Sequence, residues 1–425
     1  MTLNKLTGAM ILAFASQVAS ASGFALIEQS ASGQGLSYAG AAANAEDASV
    51  MWFNPAGLTE IEGSQLVMGA HVIAPKAEFT NNGSYVGSSA NVISGSGDNG
   101  ATIGFVPNFY WKGKLSDYDI GLGVTVPFGQ HVSYDDQWVG RYHATETNLK
   151  TLNLNPAMAK KINDQLSIGF GLNAQYVNLI MESKLNNALV TGGVDTSTAN
   201  AKLEADSWAF GYNLGLLYKV TESTDIGFGY RSSMIHNAKG SVDYSDNLNS
   251  NWLALKGLKD ADIASTVNLP ASASLSVKHG MTDTVTILAD ASWTKWSDYD
   301  SLVIEYDSAQ ADSDTRQNFK DSWRLSLGGI YQYNNDLKLR AGVAFDQTPV
   351  SNETNRSPRT PDSDRKWISF GAGYQLSKSM NLDVGYSHLF ADTSKVNYTT
   401  DDVHYLVGSY DSSVDILSAQ LVWKY

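Results

Sequence analysis

The feature that most constrains this chain is an alternation of large apolar residues with small or polar ones. Between residues 208 and 216 the even positions are large and apolar, whereas the odd positions are small or polar. Residues 120–128 and 337–345 alternate in the same way. A period of two places the two sets on opposite faces of a strand. We therefore predict a chain of β-strands, each with one apolar face.

Residues 1–21 have the composition of a cleaved export signal. Lys5 supplies a positive start, residues 8–18 are apolar, and Ala19-Ser20-Ala21 is a small-residue cleavage site. The apolar stretch is shorter than the roughly 20 residues that a membrane-spanning helix needs. We expect an exported protein that is cleaved after Ala21, so that the mature chain begins at Ser22.

Composition argues against several functional classes. The 425 residues carry a formal net charge of -14 and include no cysteine. This charge argues against nucleic acid as a partner, and the lack of cysteine excludes a disulfide framework. The histidines show no HExxH spacing, and the sequence around Ser37 resembles a nucleophile elbow without the strand and helix that such an elbow needs. We expect no enzyme, no cofactor and no metal site.

An exported chain with 11% aromatic residues and no long apolar stretch after the signal is typical of a transmembrane β-barrel. A soluble sandwich shares the periodicity, and the signal sequence favours the barrel. About fourteen strands are predicted, and an even number suits a bacterial barrel. Their expected starts are near residues 65, 102, 119, 147, 165, 207, 224, 263, 284, 318, 337, 366, 380 and 413.

Residues 22–62 lack the alternation. They are rich in Ala, Ser and Gly but include the apolar residues Phe24, Leu26, Leu36, Tyr38 and Trp52. So few apolar residues cannot build a separate core, and such a segment is ordered only if something encloses it. We predict three parts: a signal peptide at 1–21, a hatch (a plug in the lumen) at 22–62 and the barrel at 63–425.

A series of motifs resembles the FadL-type outer-membrane transporters. In order they are Gly23-Phe24, the Ser/Gly-rich run 30–40, Glu46-Asp47, Asn54-Pro55-Ala56, Val126-Pro127-Phe128-Gly129, Trp138 to Tyr142, Phe319 to Arg324, Ala344 to Val350, and Pro361-Asp362 with Asp364-Arg365 and Trp367. The resemblance covers essentially the whole mature chain. It implies a monomeric, all-β barrel with an N-terminal hatch in the outer membrane of a Gram-negative bacterium.

The resemblance also implies a function, namely transport of long-chain fatty acids. The acid would be captured at outer loops, bound in the lumen and released sideways into outer-membrane lipid. Some branches of the family carry aromatic hydrocarbons, so uptake of aromatic or other neutral hydrophobic compounds stays open as the alternative. The chain ends in an alternating strand, with an aromatic at its last position Tyr425. This ending resembles the signal that the barrel-assembly machinery recognises.

The resemblance gives three motifs a role in the transport of the fatty acid through the barrel. Phe24 would occupy the apolar end of the substrate pocket. Asn54, Pro55 and Ala56 would form a turn that shifts during transport, although a plain turn from hatch to barrel explains the same residues. Pro127 and Gly129 would kink the third strand and open the wall, and a simple bend near the rim is the other interpretation.

The family binds the carboxylate with a lysine that matches Lys320. Alternation places Lys320 and Arg324 together on the lumen face of strand ten, so both are candidate ligands. The family's second basic residue follows a Glu late in strand five. Here Ser183 follows that Glu, and Lys184 nominally faces the other way.

Two long loops are expected to form the outer groove that captures substrate first. Its candidate residues are Leu185, Leu189, Val190, Trp252, Leu253, Leu255 and Leu258.

Overall fold

The computed structural model describes residues 23–425. The predicted signal peptide, its cleavage site after Ala21 and the first hatch residue Ser22 lie outside the described residues. Within the described part, no helix is both long enough and apolar enough to cross a membrane.

Fourteen antiparallel strands in residues 23–425 form a closed barrel, as the sequence predicted. Those without a break are β1 (Gln65–Asn81), β2 (Gly104–Leu115), β4 (Glu146–Lys161), β5 (Leu166–Asn186), β6 (Thr198–Thr221), β11 (Leu337–Asp346), β12 (Arg365–Ser377) and β14 (His404–Lys424). The barrel closes where β1 pairs with β14, from Gln65 opposite Lys424 to Asn81 opposite Gly408.

The other strands are each divided into two pieces. They are β3 (Tyr118–Thr125 and Gly129–Ser133), β7 (Thr224–Arg231 and Met234–Tyr244), β8 (Ala261–Leu269 and Ser272–Gly280), β9 (Val285–Thr294 and Ser301–Tyr306), β10 (Ser313–Arg316 and Ser322–Gln332) and β13 (Met380–Ala391 and Ser394–Tyr398). A short strand, Tyr85–Val86, pairs with β14 in a loop. The sequence predicted the break in β3 but not the others.

Helices are short. They are α1 (Ala31–Gln34), α2 (Val50–Phe53), α3 (Ala188–Thr191) and α4 (Ser250–Lys256), with 3-10 turns at Pro55–Glu60 and Trp296–Asp298. Turns of a few residues join the strands at the end where β1 begins and β14 finishes. Longer connections, such as 134–145 and 347–364, lie at the opposite end. Short turns mark the periplasmic rim of such barrels, so we call the opposite end the outer end.

The two faces of the wall differ as predicted. Large apolar side chains such as Phe210 (76% exposed), Leu172 and Leu417 point outward, where a membrane barrel meets lipid. Buried amides such as Asn173 and Asn213 point inward and hydrogen-bond to each other at 3.1 Å. One prediction is corrected. Val126 and Phe128 are buried rather than outward, because the break in β3 ends the alternation there.

Residues 23–61, here called the N-terminal segment, are enclosed by the strands. Hydrogen bonds join the segment to side chains from opposite parts of the wall, including Asn108 of β2, Arg324 of β10 and Gln420 of β14. Charged contacts are buried with it. Glu46 lies 2.7 Å from Arg340 of β11, which also pairs with Asp383 at 2.8 Å. The segment therefore takes its order from the barrel. The predicted boundary at residue 62 stays a prediction.

Glu28 of the N-terminal segment carries a carboxylate that is hard to ionise. Its side chain is 1% exposed, and its Oε2 has no hydrogen-bond partner among the described residues. Burial raises the pKa of Glu28 to about 7, although its own backbone N–H and the charges of Arg324 and Arg365 oppose that rise, and Asp346 adds to it. At neutral pH this group is therefore close to half protonated.

We predict that the N-terminal segment is held less firmly as the pH rises. A released segment would have Glu28 near its ordinary pKa of 4.5. The enclosed state thus binds more protons, so its advantage is complete below pH 4.5 and is lost as the pH rises through 7. Hydrogen–deuterium exchange of residues 23–61 should speed up from pH 5 to pH 8 relative to a Glu28→Gln variant measured at each pH. An identical pH dependence in both proteins would contradict this.

Candidate functional site

Breaks in β9 and β10 turn aromatic side chains into the lumen. Trp296 and Tyr299 lie in the break of β9 and Phe319 in the break of β10, and they surround Phe24 together with Phe128. Phe24 lies 4.7 Å from Trp296 and 5.3 Å from Tyr299, measured between ring centroids. We call these five residues the aromatic cluster. It places Phe24 in an apolar interior position, and its role at the apolar end of the substrate pocket stays a prediction.

An outer chamber of about 230 Å³ lies between the aromatic cluster and the outer end. Polar side chains such as Gln130, Thr315 and Gln317 form one part of its wall, and apolar side chains from β4 to β9 form another, namely Leu149, Leu179, Met181, Leu203, Val267, Leu269, Leu302 and Ile304. A smaller apolar pocket of about 40 Å³ shares seven of these residues, all except Leu269, and adds Val177, Ala205, Ala238, Ile263 and Ser265. The apolar part of the wall can contact an apolar molecule.

The alternation alone does not predict this chamber, because it assigns the apolar face of every strand to lipid. A signal was nevertheless available in β5. Its outward apolar residues Ile168 and Leu172 have even numbers, whereas its buried residues Val177 and Met181 have odd numbers. The parity of the apolar set changes within one unbroken strand. Such a change marks the height at which the lumen becomes apolar.

Arg359, on the loop between β11 and β12, lines the outer chamber. Its guanidinium donates to the carbonyl of Glu146 and the hydroxyl of Thr147, both at 2.7 Å, and to the carbonyl of Glu182 at 3.1 Å. No carboxylate of the described chain lies within 4.0 Å of it. Burial lowers the pKa of Arg359 to about 10, so it stays charged at neutral pH.

His143 also lines the outer chamber, from the loop between β3 and β4. It is 8% exposed, and neither ring nitrogen has a hydrogen-bond partner in residues 23–425. Burial lowers the pKa of His143 to about 4, so the ring is neutral at pH 7. A neutral imidazole offers one donor and one acceptor. The chamber therefore combines an apolar wall with a cation and a neutral hydrogen-bonding group.

An inner chamber of about 150 Å³ lies on the other side of the aromatic cluster. Apolar residues including Leu26, Phe53 and Phe128 form one part of its wall, and Arg231 and Arg324 form another. Hydroxyl groups from β8, β9 and β10 complete it, namely those of Ser272, Ser274, Ser292, Thr294 and Ser322. Pro127 lines this chamber, so the chamber reaches the break in β3.

At that break the N-terminal segment replaces part of the wall. The ladder between β2 and β3 ends at the pair Phe109–Val124. Beyond it the backbone of Leu26 donates to the carbonyl of Pro127 at 2.8 Å, and the backbone of Gly129 donates to the carbonyl of Phe24 at 2.9 Å. Residues 24–26 thus occupy the position beside β3 that β2 would otherwise hold. Both Pro127 and Gly129 lie at this gap.

The motif Asn54-Pro55-Ala56 lies against the wall. The side chain of Asn54 accepts from the backbone of Ala56 at 3.0 Å and donates to the carbonyl of Leu216 of β6 at 2.9 Å. Asn54 thereby caps the 3-10 turn that Pro55 begins. Gly215 faces this motif so closely that a Cβ there would overlap the Asn54 side chain. The geometry explains a structural turn and leaves its shift during transport untested.

The four predicted head-group residues are not brought together. Ser183 lines the outer chamber, whereas Lys184 pairs with Asp136 at 2.8 Å. Arg324 faces the inner chamber and the N-terminal segment. Lys320 is exposed and lines neither chamber. The expectation that Lys320 shares the lumen face of Arg324 is corrected, because regular strand begins only at Ser322, after a bend with φ 48° at Asn318.

The two predicted groove loops do meet. Trp252 of α4 donates to the side chain of Asn187 at 2.9 Å, and Asn251 donates to the carbonyl of Val190 at 3.0 Å. Leu189, Leu253 and Leu255 stay exposed beside this contact, whereas Leu258 is buried and Leu185 is half-buried. An exposed apolar surface thus lies at the outer end, and its role in capture stays a prediction.

Comparisons with known proteins agree on one family. The family model for "Outer membrane protein transport protein (OMPP1/FadL/TodX)" matches residues 12–425. The chain is 30% identical over 421 residues to the long-chain fatty acid transport protein of Escherichia coli K12, covering 92% of each chain. It is 30% identical over 420 residues to outer membrane protein P1 of Haemophilus influenzae, covering 90% of this chain and 89% of that protein.

Solved structures share the fold. A crystal structure of a Pseudomonas aeruginosa FadL homologue superimposes with a TM-score of 0.88 at 24% identity, covering 95% of this chain and 99% of that one. The Pseudomonas putida toluene transporter TodX superimposes with a TM-score of 0.70 at 19% identity, covering 93% and 98%.

We predict that Phe24→Ala weakens binding of dansyl-labelled undecanoic acid by about tenfold, since each aromatic contact that Phe24 makes is worth roughly 0.5–1.5 kcal/mol. Fluorescence titration of the purified barrel measures this. Phe210→Ala, which removes an outward phenylalanine, is the control and should bind as the parent protein does. The barrel should keep its heat-resistant mobility on gels. Unchanged binding in the Phe24 variant, or loss of the barrel, would contradict the role.

Proposed function

The chain belongs to the OMPP1/FadL/TodX family of outer membrane transport proteins, and from that membership we propose that it carries long-chain fatty acids across the outer membrane. The location is the outer membrane of a Gram-negative bacterium, as in its relatives. The Escherichia coli relative is named for the transport of long-chain fatty acids, which supports this choice.

The observation that carries the proposal is the charged group in the outer chamber. Arg359 is a cation whose hydrogen-bond partners are all neutral, beside a wall of leucine, isoleucine, valine and methionine side chains. A carboxylate supplies the missing negative charge, and a charge-assisted hydrogen bond is worth roughly 1.5–3 kcal/mol. Each CH₂ of the tail placed against the apolar wall adds about 0.8 kcal/mol. Both ends of a long-chain acid are thus accommodated.

We propose that the acid follows one route. It is captured at the groove by Leu185, Leu189, Val190, Trp252, Leu253, Leu255 and Leu258, and it then enters the outer chamber at Arg359 and Ser183. It passes Phe24 into the inner chamber and leaves through the wall at Pro127 and Gly129. Sideways release keeps the tail out of water, and that exposure would cost about 0.8 kcal/mol for each CH₂.

Uptake of neutral hydrophobic compounds is the second candidate. The aromatic cluster around Phe24 suits a flat ring, and Lys184 is neutralised by Asp136 rather than turned to the chamber. Ser183 stands where the family places a basic residue. Arg359 favours the acid, because a neutral cargo would leave that cation without an anion.

The N-terminal segment serves as the hatch in this proposal. Asn54, Pro55 and Ala56 act as the turn about which it shifts. We further propose a monomer that is surrounded by outer-membrane lipid and inserted by the barrel-assembly machinery. Pairing of β1 with β14 within one chain supports the monomer, and the outward residues Leu417, Leu421 and Trp423 suit a lipid contact. The proposal includes no catalytic step.

We predict that Arg359→Gln weakens binding of oleate by about tenfold to a hundredfold, the loss of a charge-assisted hydrogen bond of roughly 1.5–3 kcal/mol. Binding of methyl oleate should change little, because the ester has no charge to lose. Titration calorimetry in lipid nanodiscs measures both ligands. Lys320→Ala is the control, since that cation is exposed and should leave both affinities unchanged. Equal losses for acid and ester would sink the assignment.

We predict that the double change Pro127→Val with Gly129→Val blocks release but not binding. Valine at 127 restores a backbone donor, and valine at both positions favours regular strand. Uptake of labelled oleate by cells should fall several-fold, while binding to the purified protein stays near that of the parent. Pro75→Val, which replaces a proline in β1 away from the gap, is the control. Normal uptake by the double variant would rule out this exit.

A further inference from the structure

We propose that the inner chamber is a second binding site for the cargo's carboxylate, centred on Arg231 and reached after the acid has passed the aromatic cluster. The inference rests on the proposed transport of acids. It assigns a role to Arg231, a residue that neither the motifs nor the outer chamber involves. The ligand class is a monocarboxylate with an apolar tail.

Arg231 is a buried cation with neutral partners. It is 8% exposed, and its guanidinium donates to the carbonyl of Trp52 at 2.8 Å and to the side-chain oxygen of Asn173. The guanidinium carbon lies 3.6 Å from the centroid of the Trp52 ring. Within residues 23–425 no carboxylate lies within 4.0 Å of it. A buried charge that lacks a counter-ion is costly, so an anion that enters this chamber is stabilised there.

Arg324 adds a second cation to the same chamber. It is 6% exposed, and it donates to the carbonyl of Ser37 at 2.7 Å through Nη2. Its Nε and Nη1 have no hydrogen-bond partner among the residues that the structure describes. Asp346, the carboxylate on the chamber wall, lies 3.4 Å from Arg365, which it shares with Asp362. Arg324 is also attracted by the buried carboxylates Asp346, Asp290 and Glu28. Arg231, rather than Arg324, is therefore the cation of this chamber that lacks a neighbouring carboxylate among the described residues.

The other lining residues of the inner chamber suit a fatty acid that arrives from the outer chamber. Hydroxyls of Ser272 and Thr294 face the chamber as further hydrogen-bonding groups, while Phe53, Phe128 and Pro127 form its apolar side next to the gap in β3. A carboxylate that left Arg359 for a purely apolar space would lose its counter-ion, and that loss would raise the barrier to passage. Arg231, together with Arg324, supplies a new counter-ion on the inner side of Phe24. The head group is thus transferred from one cation to the next.

The competing explanation is that Arg231 only clamps Trp52 and so holds the N-terminal segment. The two explanations differ in their dependence on cargo charge. A clamp acts on every cargo alike, whereas a carboxylate site acts only on acids. Cargo charge is therefore the variable to test, and the measurement must separate binding from passage.

The test compares Arg231→Gln with Arg231→Lys in the full barrel. Equilibrium binding of oleate at the outer chamber should stay within about twofold in both variants, because the residues of that chamber are unchanged. Oleate uptake by cells should fall about tenfold with glutamine and less with lysine, which keeps the charge. Uptake of methyl oleate should be unchanged. Arg324→Gln should likewise reduce oleate uptake without changing oleate binding at the outer chamber. If Arg231→Gln yields no heat-resistant barrel, the Arg324→Gln variant is used for the test instead.

Each outcome decides between the explanations. Unchanged oleate uptake in the glutamine variants would overturn the second site, and equal loss of oleate and ester uptake would leave Arg231 as a clamp. If cells with the parent protein take up ester but not oleate, the proposed acid function fails, and this inference fails with it. If cells with the parent protein take up oleate and the variant loses uptake of the acid alone, the result supports both the proposed transport of acids and the second carboxylate site.

Discussion

The whole arrangement depends on how closely the N-terminal segment approaches the barrel wall. Glycine in the wall permits this, because a Cβ on Gly342 would overlap the carbonyl of Leu36, and one on Gly227 would overlap the carbonyl of Ala42. Backbone therefore packs on backbone in the middle of the lumen. This packing leaves room for the two chambers, with the aromatic cluster between them.

Ion pairs hold the N-terminal segment in the position that the wall glycines make possible. Glu46 is half-buried between Lys338, whose side chain is 40% exposed, and the buried Arg340, and Arg340 is shared with the buried Asp383. Removing one partner of the buried pair Arg340–Asp383 is expected to cost about 3–5 kcal/mol. Glu28 lies differently, because no cation lies within ion-pairing distance of its carboxylate in the described structure. The segment is thus anchored firmly at Glu46 and conditionally at Glu28.

The sequence predicted the strands well because alternation reports directly on a sheet with two unlike faces. It predicted the break at Pro127 because proline cannot donate to a ladder. It misplaced Lys320, since extrapolating the alternation back from Arg324 ignores the bend at Asn318. It also missed Arg359 and Arg231. Arg359 lies on a long loop, and Arg231 ends a strand piece, so only the three-dimensional structure shows that they face cavities and lack anions.

The pairing of residues 24–26 with the gap in β3 has a mechanical consequence. The same three residues complete the wall and hold Phe24 between the chambers. A movement that frees the backbone hydrogen bonds to Pro127 and Gly129 also withdraws the Phe24 ring from Trp296 and Tyr299. In the proposed route, the passage between the two chambers and the exit at the gap in β3 would therefore open together. A cargo molecule that displaced Phe24 would at the same time open its own way into the bilayer.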